Sequence, residues 1–136
     1  MARWMLVISL VAALIMCAIQ VVASQYSLYW RFWWFDIPPH LAGGAMLGGL
    51  ASWLVGSSRE RFSWPSVSVT AVLVLSFAFF GGSLWEFYEY SIGYTFNAIG
   101  NYPLDTLKDL LMDIIGAGAA FWCYRRWFDV LRFKRV

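Results

Sequence analysis

The stretch VSVTAVLVLSFAFFGGSLWEFYEYSI, residues 67–92, is apolar for most of its length and carries two glutamates near its end, Glu86 and Glu89. As a helix, an apolar run of about 20 residues spans the hydrocarbon core of a bilayer, which is roughly 30 Å thick. The composition agrees, because 61% of the residues are hydrophobic and only 13% are charged, whereas a soluble domain is about 25% charged. These features predict an integral membrane protein.

Three further apolar stretches flank this one, so the sequence predicts an all-α bundle of four transmembrane helices in a single domain, residues 1–136. The predicted helices are about 4–23, 38–55, 67–92 and 104–124, followed by a basic tail at 125–136. The first run also resembles a secretory signal peptide. It is longer than the apolar region of a typical signal peptide, so a retained helix is favoured.

Lysine and arginine are distributed unequally between the predicted loops, and cytoplasmic flanks are enriched in these residues. One side carries Arg3, Arg59, Arg61, Arg125, Arg126, Arg132, Lys134 and Arg135. The other side carries Arg31 and Lys108, and the Lys108 side chain is expected to snorkel outward to water. The sequence therefore predicts a multi-pass protein of the inner (plasma) membrane with both termini cytoplasmic. Its basic tail is expected to contact anionic lipid rather than nucleic acid.

This topology brings the acidic ends of three predicted helices to the outer leaflet, together with the single histidine of the chain. Side chains at i and i+3 or i+4 share one face of a helix, so each helix presents its polar groups on one side. These groups are His40 on the second helix, Glu86 and Glu89 on the third, and Asp105, Asp109 and Asp113 on the fourth. An aspartate at the centre of a membrane helix costs roughly 2.5–3.5 kcal/mol, so such residues mark a functional site by default.

Either protonation of the carboxyl groups or a bound divalent cation would compensate such a cluster. The candidate metal ligands are His40, Glu86, Asp105, Asp109 and Asp113, and the candidate general base is Glu89. Oxygen ligands with one imidazole suit Zn, Mn or Fe and, less specifically, Mg or Ca. Asp36 precedes two prolines, and for this residue a helix cap is favoured over a metal ligand.

The two predicted outer loops differ in character. The first, residues 26–35, is rich in tryptophan, tyrosine and phenylalanine, which favour the membrane interface, so a short segment along the outer surface is expected. The second, Gly93–Pro103, is uncharged and contains glycine and asparagine, as suits a mobile lid or a plain turn.

Three blocks of the sequence resemble the VanZ-like and YjdF-like families of small integral membrane proteins. They are DIPPHLAGG (36–44), LWEFYE (84–89) and LDTLKDLLMDIIGA (104–117). The resemblance covers about residues 36–120 and implies a site at His40, Glu86, Asp105, Asp109 and Asp113. Asp113 and Glu89 stand where VanZ-like members usually have asparagine and often glutamine, which favours the YjdF-like branch. That branch implies no established activity.

Two functions of different kinds follow from the cluster. The first is a metal-dependent hydrolase or transferase that acts on an outer-leaflet lipid headgroup or a lipid-linked envelope substrate, with the cation polarising a phosphoryl or carbonyl oxygen. The second is a cation- or proton-conducting transporter or channel subunit. It would require a homo-oligomer, for which Gly44 and Gly48 offer a packing face. The sequence leaves open whether the protein is an enzyme.

Overall fold

The computed structural model describes residues 2–58, 67–93 and 101–133, and the described residues form helices and turns without strands. The helices are α1 (Ala2–Gln25), α2 (Leu28–Arg31), α3 (Ile37–Ser58), α4 (Val67–Ser91) and α5 (Tyr102–Phe133). The all-α prediction is confirmed for this part of the chain. Arg59, Arg61, Lys134, Arg135 and most of the predicted lid lie outside the described residues.

α3 is the central helix of the fold. It packs against α1, α4 and α5, and its contact with α5 is the most extensive. Small residues make this contact close: a Cβ atom added to Gly48 would lie 2.5 Å from Ala117 Cα, and one added to Gly44 would strike the backbone of Asp113. Membrane helices commonly approach each other through such small residues. The surface of Gly44 and Gly48 is thus occupied within the chain by α5.

Among the described residues, α4 is the one helix that is both long and apolar enough to cross a membrane, over Val67–Ser91 (25 residues). In α1, a shorter stretch, Ser9–Gln25, is also apolar. α5 carries the acidic residues of the predicted cluster, which lower its mean hydropathy. The four-span topology and the orientation of the termini stay predictions.

The aromatic segment between α1 and α3 contains the short helix α2. Tyr29 is 4% exposed, and its ring packs edge-to-face with Phe35 at 5.2 Å between centroids. Its hydroxyl donates a hydrogen bond to the Gln20 side chain, and burial raises the pKa of Tyr29, so the hydroxyl remains a donor. Trp30 and Trp33 are 62% and 64% exposed, as suits tryptophans at a membrane interface.

Candidate metal centre

His40 lies in the first turn of α3 and is 6% exposed. Its Nδ1 atom is 3.4 Å from Asp113 Oδ2 of α5. Its Nε2 atom lies 3.5 Å from Asp36 Oδ1, 3.7 Å from Glu86 Oε1 and 4.0 Å from Asp109 Oδ1. The imidazole is therefore surrounded by carboxylates from three separate parts of the chain.

The predicted convergence of polar groups is present in the structure. Four of the carboxylates are buried, and they belong to Glu86, Asp105, Asp109 and Asp113. Glu89, one turn after Glu86 on α4, is partly buried and also approaches the imidazole. The helical spacing of the acids places them on the inner faces of α4 and α5, where α3 supplies the histidine.

Lys108 does not snorkel outward, and that prediction is wrong. Its side chain is 17% exposed, and Nζ lies 2.7 Å from Asp105 Oδ1, 3.1 Å from Asp109 Oδ1 and 3.6 Å from Asp36 Oδ2. The attraction between opposite charges grows as the local dielectric constant falls. Three nearby carboxylates therefore hold the ammonium group inside, and Lys108 neutralises one side of the cluster.

Glu86 approaches Nε2 of His40 from α4 and has one unsatisfied oxygen. The Thr106 hydroxyl donates to Glu86 Oε2 at 2.8 Å, and the Tyr102 hydroxyl donates to the Glu86 carbonyl oxygen at 3.2 Å. Glu86 Oε1 is buried and has no hydrogen-bond partner. A buried polar atom without a partner costs free energy, and a proton, a cation or an ordered water would each offset that cost.

Two groups of side chains are close enough to hold a metal ion. The first comprises Asp36, His40 and Asp109, the second comprises His40, Glu86 and Glu89, and within each group the ligand atoms lie within 4.8 Å of one another. Around a tetrahedral ion with bonds near 2.1 Å, neighbouring ligand atoms are about 3.4 Å apart. The Nε2 atom lies 3.5 Å from Asp36, 3.7 Å from Glu86 and 4.0 Å from Asp109, and the ligand atoms of the second group lie within 4.8 Å of one another. The side chains would therefore move inward to bind an ion.

The two groups differ in how their charge is compensated. Asp109 Oδ1 of the first group, like Glu86 Oε1, is buried without a hydrogen bond, but Lys108 forms ion pairs with both Asp36 and Asp109. Within the described part of the chain, no lysine or arginine forms an ion pair with Glu86 or Glu89. We therefore take His40, Glu86 and Glu89 as the candidate metal centre.

The sequence did not show which of the acidic residues belong to a possible metal-binding group, and three of them differ in this respect. Asp105 lies outside both groups, and its carboxylate accepts a hydrogen bond from Lys108. Asp113 also lies outside them and faces Nδ1 of His40. Asp36, for which a cap was favoured, directly precedes α3, and its carboxylate also contacts the imidazole. The spacing of four residues between Asp36 and His40 was the available signal, because it places both on one helical face.

The fold and the cluster together define a class, that of helical membrane proteins with a buried histidine and acidic site. The chain belongs to the family described as Predicted membrane protein (DUF2238), which it matches over residues 2–130. No curated protein and no solved structure matches the chain. Family membership supports a membrane protein of unknown function, whereas the resemblance to VanZ-like and YjdF-like proteins stays a prediction.

Proposed function

We propose that this membrane protein binds a divalent cation at His40, Glu86 and Glu89 and acts on the headgroup of an outer-leaflet lipid or a lipid-linked envelope substrate. The observation that carries the proposal is the buried Glu86 Oε1 atom, which lacks a hydrogen-bond partner and lies 3.7 Å from His40 Nε2. A cation between these two atoms would satisfy both. The ammonium group of Lys108 pairs with Asp36, Asp105 and Asp109 and forms no ion pair with Glu86 in the described part of the chain.

Asp113 supports the proposal as a positioning residue. A metal-ligating histidine usually donates its other ring N–H to a carboxylate, which fixes the tautomer and the ring orientation. The contact of 3.4 Å between His40 Nδ1 and Asp113 Oδ2 suits this arrangement. With the proton on Nδ1, the Nε2 lone pair is free to face Glu86 and the cation.

The three side chains would leave coordination positions open for water and substrate, as catalytic metal centres require. When bound, the cation supplies Lewis acidity towards a phosphoryl or carbonyl oxygen and lowers the pKa of a coordinated water. Glu89 was predicted as the general base, and in this proposal its carboxylate is the third ligand. The two roles are separable, since Glu89→Gln lowers metal content only if Glu89 is a ligand.

A cation- or proton-conducting function is the alternative, and the packing of α3 gives it less support. Two turns after His40, Gly48 meets the backbone of Ala117. Ala78 and Ala117 are 0% exposed, so α4 and α5 are also closely packed at this level. The described residues therefore hold a polar site at one end of the bundle and a tightly packed interior beyond it.

Metal content tests the first part of the proposal. The full chain is purified in detergent, equilibrated with Zn²⁺ or Mn²⁺ and analysed by elemental mass spectrometry. We expect about one ion per chain in the wild type, by the ligand count of a single site, and loss of that ion in Glu86→Gln. Asp105→Asn removes the same charge beside Lys108 and is expected to retain the ion. Equal, negligible metal in all three proteins would instead support a network of protonated acids.

Turnover tests the second part. The protein is reconstituted into liposomes, and headgroup release and ion flux are followed in parallel. Headgroup release that requires added metal and disappears in Glu86→Gln would support the enzyme. Ion flux that disappears in the same variant, without headgroup release, would support transport.

A further inference from the structure

A cleft of about 170 Å³ lies between the ends of α1 and α4 that are nearest to the candidate metal centre. Gln20 and Ser24 line it from α1, and Trp85, Tyr88, Glu89 and Ile92 line it from α4. α1 and α4 each pack on α3 but not on each other, so the cleft is the space left between them. A water molecule takes up about 30 Å³ of liquid, and the cleft therefore has room for a larger polar group.

Glu89 connects the cleft to the candidate metal centre. It lines the cleft and also belongs to the group formed with His40 and Glu86. Its carboxylate also accepts a hydrogen bond from the Trp85 side chain, which lines the same cleft. A molecule seated there would have one end beside the proposed cation.

The lining of the cleft has the chemistry of a site for an ammonium group. The Trp85 and Tyr88 rings lie 5.6 Å apart between centroids and are tilted by 42°, and they are 39% and 51% exposed. Aromatic faces attract ammonium groups, and quaternary ammonium ligands are recognised in this way. The lining includes a carboxylate from Glu89 but neither lysine nor arginine, so an anionic headgroup would find no direct counter-charge.

The surface beside the cleft suits access from the lipid. Leu84 and Phe87 on α4 are 70% and 69% exposed, and Val21 on α1 is 61% exposed. Apolar side chains exposed along membrane helices face the acyl chains of the bilayer. A phospholipid beside this surface could place its headgroup in the cleft without leaving the membrane.

We propose that the cleft binds the headgroup of an ammonium-bearing phospholipid, with the ammonium group against Trp85, Tyr88 and Glu89 and the phosphate directed towards the candidate metal centre. The position of the phosphate rests on the proposed function. The proposal names the substrate class for that site, a zwitterionic headgroup of the phosphoethanolamine type.

Lipid selectivity tests the inference. Dioctanoyl phosphatidylethanolamine and dioctanoyl phosphatidylglycerol share their acyl chains and differ in the headgroup, and each is titrated against the detergent-purified full chain by native mass spectrometry. We expect the first lipid to bind between about threefold and thirtyfold more tightly, as a single ammonium–aromatic interaction would give. Each titration is repeated after treatment with EDTA.

Two variants localise the effect to the cleft. Trp85→Leu removes an aromatic face from α4, and Ser24→Leu fills the cleft from α1, so each is expected to abolish the preference independently. Trp122→Leu is the matched control, because Trp122 is another exposed tryptophan, stacked against Arg126 on α5. Metal content is measured in every sample. None of these residues is a proposed ligand, so every variant is expected to retain the metal, and retention also shows that the site is folded.

The outcomes separate this inference from the proposed function. Equal binding of the two lipids by the wild type would overturn the inference, as would a preference that survives both cleft variants. Bound metal without a lipid preference would overturn this inference but would not contradict the proposed function. A preference that is lost in the cleft variants, with no metal in any sample, would support the inference and contradict the metal centre.

Discussion

The side chain of Lys108 compensates part of the negative charge that the aspartates of α5 bring into the site. A lysine near the end of a membrane helix ordinarily extends towards water, but here the ammonium group contacts Asp36, Asp105 and Asp109. Asp105 and Asp109 belong to the same helix as Lys108, whereas Asp36 is distant in sequence. The direction of the side chain is therefore set by its own helix together with one tertiary contact.

Removal of this ammonium group is expected to destabilise the protein. Lys108→Met leaves three carboxylates near one another without their counter-ion. Breaking a buried pair by removal of one partner costs roughly 3–5 kcal/mol. We expect a free energy of unfolding lower by about 3 kcal/mol, the low end of that range, because Lys108 keeps some exposure to solvent. Thermal unfolding in detergent measures this loss.

Three comparisons test the cause of that loss. Lys108→Arg keeps the charge and is expected to retain most of the wild-type stability. Mildly acidic buffer is expected to reduce the loss of stability in Lys108→Met, because protonated carboxyl groups repel one another less. Arg126→Met removes an exposed cation from the same helix and is expected to have little effect. A similar loss in Arg126→Met and Lys108→Met would contradict the assignment.

The contact between α3 and α5 determines whether the cluster can form. His40 approaches Asp113 because glycines on α3 let the two backbones come close, one and two turns further along. A larger residue there would separate the helices and move the imidazole away from its carboxylates. Small residues in this register therefore contribute to the site although none of them is a proposed ligand.

Neighbouring glycines of α3 provide a matched test of this packing. A Cβ atom at Gly48 would lie 2.5 Å from Ala117 Cα, whereas one at Gly49 would have nothing within 4 Å. Gly48→Ala is expected to destabilise the fold by about 1–3 kcal/mol through overpacking. Gly49→Ala is expected to be neutral or to stabilise it by up to about 1 kcal/mol, because alanine favours the helix.

Thermal unfolding and metal content of the two variants check this prediction. Gly48→Ala is expected to lose metal as well as stability, since the clash separates His40 from α5. Equal stability and equal metal content in the two variants would show that neither property requires the close contact between α3 and α5.

The arrangement of the whole chain in the membrane is a prediction that reporters test directly. With four spans and positively charged inner loops, a reporter fused after residue 136 is expected to lie in the cytoplasm, and one inserted between residues 94 and 100 outside it. Alkaline phosphatase, which is active only after export, is expected to be inactive at the first position and active at the second. A green fluorescent protein fusion is expected to give the opposite pattern. Phosphatase activity at the C terminus would reverse the orientation and place the candidate metal centre on the cytoplasmic side.

The sequence by itself determined the helical class of the protein and which residues share a face, because helical periodicity and apolar runs are local properties of the chain. From this periodicity it was possible to predict that His40, Glu86, Asp109 and Asp113 meet. The pairs of Lys108 with Asp105 and Asp109 lie within α5. Only the tertiary structure decided that Lys108 also reaches Asp36 and that Glu86 Oε1 is left without a partner beside the imidazole. The rotation and separation of packed helices set those distances, and both depend on contacts between residues far apart in the chain.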